Sequence, residues 1–174
     1  GIFDGRREAD SSMKQLFPIR EWILYIFGLL LVWSLFHPLP SFYIEAHFSF
    51  IPVTFLFGHL LSVFLMVMEV LILMYFINEY ESMRLLILVR SRSRVFIGRI
   101  LVRMMWPSVF LMFCIKAILF FEIGGVHPLV LGSLPILFSG MTLLAIFIQD
   151  SKKTLFLSLI LAALIRLGCF YLIG

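Results

Sequence analysis

The chain has 174 residues, of which 62% are hydrophobic and only 14% charged, and its formal net charge is +4. Soluble domains run at roughly 45–50% apolar and about 25% charged, and a globule of this length has too little interior to hide so much apolar surface. This balance excludes a soluble enzyme, a disordered chain and a disulfide-stapled secreted module, and it leaves lipid as the solvent for most of the sequence.

The first 21 residues carry eight charges: Asp4, Arg6, Arg7, Glu8, Asp10, Lys14, Arg20 and Glu21. They do not read as a signal peptide, and the apolar run that follows is too long for one. Residues 11–21 mix Met13, Leu16, Phe17 and Ile19 with Lys14, Arg20 and Glu21, a pattern suited to an interfacial segment lying apolar side down. A spanning helix needs about 20 mostly apolar residues. Five stretches qualify: 22–43, 53–77, 100–121, 128–148 and 154–173. Pro38 and Pro40 loosen the far end of the first. No alternating strand pattern suits a barrel. The expected fold is therefore all-α, a polytopic membrane helix bundle of about five transmembrane helices in one membrane domain, 1–174. Gly124-Gly125 reads as a turn made permissive by glycine.

The loops set an orientation. Segments 1–21, 78–104 and 149–153 hold 12 of the 14 Lys and Arg residues, whereas 44–52 and 122–127 hold none. With five spans the three basic segments share one side. The positive-inside rule puts that side, and the N-terminus, in the cytoplasm and the C-terminus outside. The expected location is the bacterial cytoplasmic membrane. Basic residues spaced between apolar runs serve orientation and lipid contact, so nucleic acid is not an expected partner.

Segment 78–99 is the most informative. Glu79 and Glu81 precede a short apolar piece, 85–89. Glu81 and Arg84 stand at i,i+3 and can pair on a helix face. The run Arg90-Ser91-Arg92-Ser93-Arg94 then breaks the pattern, with Ser91 or Ser93 available to cap the next helix. Arg94, Arg99 and Arg103 follow at the cytoplasmic end of the third span. This reads as a short cytoplasmic coupling-type helix.

The order of span, acidic start, short apolar helix, Ser/Arg turn and basic residue resembles the permease subunits of ABC-2 type (type V) ABC exporters, in a small or reduced form. The matching residues are Glu79 or Glu81, 85–89, 90–94 and Arg99. The turn lacks the family's usual proline, and the chain has five spans where the family usually has six. The resemblance implies a coupling helix, involving Glu79, Glu81, Arg84, Arg90, Arg92 and Arg94, that docks in a separate cytoplasmic ATPase subunit. It also implies a second permease copy or related subunit as partner.

Three ionisable residues fall within spans: Glu69, Lys116 and Arg166. Charges in the bilayer are costly and should face a partner or water. Sequence depth places Glu69 in the inner half and the other two in the outer half. A Glu69–Arg166 pair is therefore not expected without a tilt, and Lys116 is expected to snorkel outward or pair with Glu122. His37, His47, His59 and His127 lack ligand spacing and read as interface-level polar residues. Cys114 and Cys169 read as small buried apolar residues. Trp22 and Trp106 read as interfacial anchors, with Trp33 deeper. No Walker A, HExxH or GxSxG motif occurs, so no catalytic activity, cofactor or metal is expected in this chain. The expected function is a membrane-spanning subunit of an ATP-driven exporter, moving a peptide, lipid-linked or small toxic cargo. The alternatives are a non-catalytic accessory or assembly subunit of a larger membrane complex, or a small ion-coupled transporter using Glu69, Lys116 and Arg166.

Overall fold

The computed structural model describes residues 18–90, 94–124, 128–148 and 150–173, with side chains described except at 82–97, 128 and 173. In chain order it comprises α1 (Ile19–Phe36), α2 (Pro40–Phe48), α3 (Leu56–Arg90), α4 (Arg94–Ile123), a 3₁₀ turn (Pro128–Gly132), α5 (Ser133–Ile148) and α6 (Ser151–Ile173). No strand occurs among the described residues. Five helical stretches are long and apolar enough to cross a membrane: Ile19–Phe36, Leu56–Glu81, Gly98–Ile123, Leu129–Ile148 and Ser151–Leu172. The protein is a polytopic helical membrane bundle.

Helix α3 is its centre. Its spanning part is 67% buried, against 22–33% for the other four, because α1, α2, α4, α5 and α6 all pack on it. Helix α1 shows how the outer helices are built. Trp22, Tyr25, Gly28, Val32 and Phe36 are buried and recur every three or four residues, so they share one face. Ile23, Phe27 and Leu30 are exposed on the opposite face, where an apolar side chain suits lipid. A Cβ at Gly28 would lie 2.8 Å from Phe64 Cε1 and 3.1 Å from Leu65 Cδ2. The missing side chain is what lets α1 approach α3, the usual role of small residues between membrane helices.

The first span differs from the sequence expectation of 22–43. It ends at Phe36, because Pro38 and Pro40 each lack the N–H that would continue the helix and restrict the residue before them. Pro40 instead opens α2 in the first turn, where its fixed φ is favourable. Nine residues give α2 a length of about 13.5 Å, too short to span. It folds in against α1, α3, α4 and α6, burying Tyr43, Ile44, Ala46, His47 and Phe48. The chain then returns to α3 through 49–55. That return is pinned by Ser62, whose Oγ accepts from the Ile51 N–H at 3.3 Å and donates to the His59 carbonyl at 2.8 Å. His59 Nδ1 lies 2.8 Å from the Ile51 carbonyl.

The segment after the second span also differs. Helix α3 runs unbroken through Arg90, 35 residues in all, or about 52 Å. This exceeds a hydrocarbon core of about 30 Å. The expected separate coupling helix is thus an extension of the spanning helix, because the apolar residues 85–89 and the charges before them contain no Gly or Pro to break it. The capping role expected of Ser91 or Ser93 falls outside the described residues, as does most of the interfacial segment 11–21, of which Ile19, Arg20 and Glu21 form the first turn of α1. Pro107 lies inside α4 without ending it. Gly124 stands at φ +69° just past the end of α4, a left-handed closing position that favours glycine.

Candidate functional site

A charged cluster lies in the core, and its members come from four elements. Glu69 on α3 is 3% exposed, Lys116 on α4 is 4% and Arg166 on α6 is 4%. Lys116 Nζ is 3.0 Å from Glu69 Oε1 and Arg166 Nη2 is 3.4 Å from the same oxygen. The hydroxyl of Tyr25, on α1 and fully buried, donates to that oxygen at 3.1 Å. The Lys116 ammonium also stands 5.2 Å from the Phe48 ring centroid, within cation–π range.

The two cations have a second task at the C-terminal end of α2. The last carbonyls of a helix have no partner within it, and burying them unpaired is costly. Arg166 Nη1 donates to the Ala46 carbonyl at 3.0 Å and to the Ser49 carbonyl at 2.8 Å. Lys116 Nζ donates to the His47 carbonyl at 3.0 Å. Ser49 Oγ returns a bond to the Arg166 carbonyl at 3.2 Å. Positive charge is favourable there, since the macrodipole makes the C-terminus of a helix negative. One arginine and one lysine therefore cap α2 and pair with Glu69 together, tying the short helix to α3, α4 and α6. A small cavity of about 20 Å³ adjoins the cluster, lined by Phe48, Glu69, Lys116, Ser133, Leu137 and Arg166 among others.

The structure thus pairs Glu69 with Arg166, a contact the depth argument disfavoured. Counted from Asn78 and Lys152, which line one cleft, Glu69 lies nine residues, about 13.5 Å, and Arg166 fourteen residues, about 21 Å, along the bundle, an offset of about 7.5 Å. The long aliphatic stem of arginine covers such an offset. Lys116 turns inward to Glu69 and does not reach for Glu122. His47, expected at interface level, is 3% exposed, and neither ring nitrogen has a hydrogen-bond partner. Burial, with Lys116 and Arg166 adding to it, pushes its imidazole down to about 3, so the ring is neutral. Trp22, expected as an interfacial anchor, is buried, and its Nε1 donates to Ser108 Oγ at 3.3 Å. Trp33 and Trp106 are both exposed on the bundle surface.

Of the residues assigned to coupling, Glu79 and Glu81 are half-buried on α3. The side chains of Arg84, Arg90 and Arg94, and residue Arg92 altogether, lie outside the described residues. Arg99 and Arg103 are exposed near the start of α4, and Lys152 and Lys153 near the start of α6. Glu21, Asn78 and Lys152 line one cleft, so the start of α1, the end of the spanning part of α3 and the start of α6 meet at the same end of the bundle. Among the described residues no group of three or more His, Cys, Asp or Glu is placed to hold a metal. Cys114 is half-buried and Cys169 buried, both as free thiols.

The sequence reading missed Tyr25 and the carbonyls of α2. Tyr25 carried a signal, since it lies on the same 3–4 residue stripe as Trp22 and Gly28. The carbonyls carried a weaker one, in the two prolines and the polar residues Glu45, His47 and Ser49 within a stretch whose composition reads as the end of a span and its loop. No protein-family model, curated protein or solved structure matches this chain.

Proposed function

We propose that the protein is the membrane-spanning permease subunit of an ATP-driven ABC-type exporter, with ATP hydrolysis supplied by a separate cytoplasmic subunit. The observation that supports this reading best is the α3–α4 hairpin. Helix α3 is 35 residues long, about 52 Å, and α4 is 30 residues long, about 45 Å, and both exceed a hydrocarbon core of about 30 Å. Glu79, Glu81, Arg84, Arg90 and Arg94 lie on helices continuous with spanning segments. A displacement at the tip of such a hairpin tilts both helices, and these carry Glu69 and Lys116. Motion supplied from outside the membrane would therefore reach the contacts that hold α2 among the spans.

In this reading the basic ends of the bundle face the cytoplasm of a bacterial cell, as the positive-inside rule prefers. The chain pairs with a second copy or a related permease subunit, contacts lipid through its apolar faces, and moves a peptide, lipid-linked or small toxic cargo. An accessory role would leave the hairpin without mechanical work. Ion-coupled transport through Glu69, Lys116 and Arg166 has less support, because these side chains already hold one another and the end of α2.

The test is purification from mild detergent. A nucleotide-binding subunit should copurify with the chain and be lost on Glu81→Lys or Arg92→Glu. A complex that survives both reversals, or flux that persists without ATP hydrolysis, contradicts the proposal.

A further inference from the structure

The cavity beside the charge cluster is larger than one water requires, since about 10–15 Å³ holds a water, and it measures about 20 Å³. Its polar lining comes from Glu69, Lys116, Ser133 and Arg166. Two cations face one carboxylate, which leaves one positive charge in the core. The negative end of α2 supplies a compensating charge of only about half a unit, and a buried charge without compensation is strongly unfavourable. Donors remain to complete the balance. Lys116 uses two of its three N–H groups, on the His47 carbonyl and Glu69. Arg166 directs Nη1 to two carbonyls and Nη2 to Glu69, and a guanidinium has five N–H groups. The volume admits a monatomic ion and excludes phosphate or a carboxylate ligand.

We infer that this cavity is a binding site for one small monovalent anion, chloride by its chemistry, held by Lys116, Arg166 and Ser133, which line it with Glu69. The anion completes the charge balance of the core and so stabilises the junction between α2 and the spans. The inference goes beyond the exporter reading and stands independently of it, since it needs no motor partner.

The test uses the purified full chain in detergent at constant ionic strength, with chloride, bromide or gluconate as the anion. At a halide concentration tenfold above the dissociation constant, the midpoint of thermal unfolding should rise by about 3–6 °C over gluconate. Leu137→Phe, an apolar change that fills the cavity, should abolish the halide response. Equal midpoints in all three salts, or a full response in Leu137→Phe, would overturn the proposal. If that variant does not fold, crystals of the parent protein grown in bromide decide the matter. An anomalous peak within hydrogen-bond distance of both Lys116 and Arg166 is expected, and a water or nothing at that position contradicts the site.

Discussion

Replacing Glu69 by glutamine isolates the charge of the cluster from its shape. The amide is nearly isosteric and keeps an oxygen for Tyr25, but Lys116 and Arg166 lose their only carboxylate partner among the described residues. At an effective dielectric of 20, the attraction across the 3.0 Å Lys116 contact is about 5.5 kcal/mol, and across the 3.4 Å Arg166 contact about 4.9 kcal/mol. Much of that attraction only offsets desolvation in the native protein. Removing one partner leaves the other ions buried and uncompensated, at a cost of about 3–5 kcal/mol. For a chain of this size the unfolding midpoint should fall by about 6–20 °C. The natural reporter is Cys169, a buried free thiol whose reaction with a thiol-specific fluorophore signals exposure of the core. A double-mutant cycle with Lys116→Gln sharpens the test: the double variant should be more stable than the sum of the single losses, by about 0.5–3 kcal/mol. A Glu69→Gln variant within about 0.5 kcal/mol of the parent, the range of ordinary surface changes, would refute the reasoning. Strict additivity in the cycle would do the same.

Two further substitutions probe the packing that positions the cluster. Gly28→Leu places a side chain where Phe64 and Leu65 already sit. It should destabilise the protein by about 1–3 kcal/mol through overpacking, and an unchanged midpoint would mean that α1 and α3 are not in close contact. Trp22→Phe removes the Nε1 bond to Ser108 while keeping the aromatic bulk. A loss of about 0.5–1.5 kcal/mol is expected, and a Trp22→Phe/Ser108→Ala pair should lose less than the sum of the singles.

The spans were legible because lipid imposes a simple rule on composition, one satisfied by long Leu, Ile and Phe runs whatever their tertiary partners. Boundaries were less legible. Residues 37–43 are apolar enough to pass as the end of a span, and only the backbone demands of Pro38 and Pro40 convert that stretch into a turn and a new helix. The extension of α3 through Arg90 was hidden by the same logic in reverse: charges suggested a break, but Glu, Arg, Met and Leu are all good helix formers. The intramembrane charges were found from sequence, because ionisable residues stand out in apolar runs. Their pairing was not, since counting residues along a helix ignores tilt and the reach of Lys and Arg stems. The main-chain acceptors at Ala46, His47 and Ser49 have no side-chain signature, so the cap on α2 becomes visible only once the short helix is placed in space.

The proposed exporter requires the segment joining α3 and α4 to meet a motor in the cytosol. The most direct measurement places a photo-activatable residue at position 92 of the full chain and irradiates intact cells. The expected product is a covalent adduct with a nucleotide-binding cytosolic protein, in a yield that changes when ATP hydrolysis is blocked. Adducts with lipid alone, or modification of position 92 by a membrane-impermeant reagent added outside the cell, would contradict it.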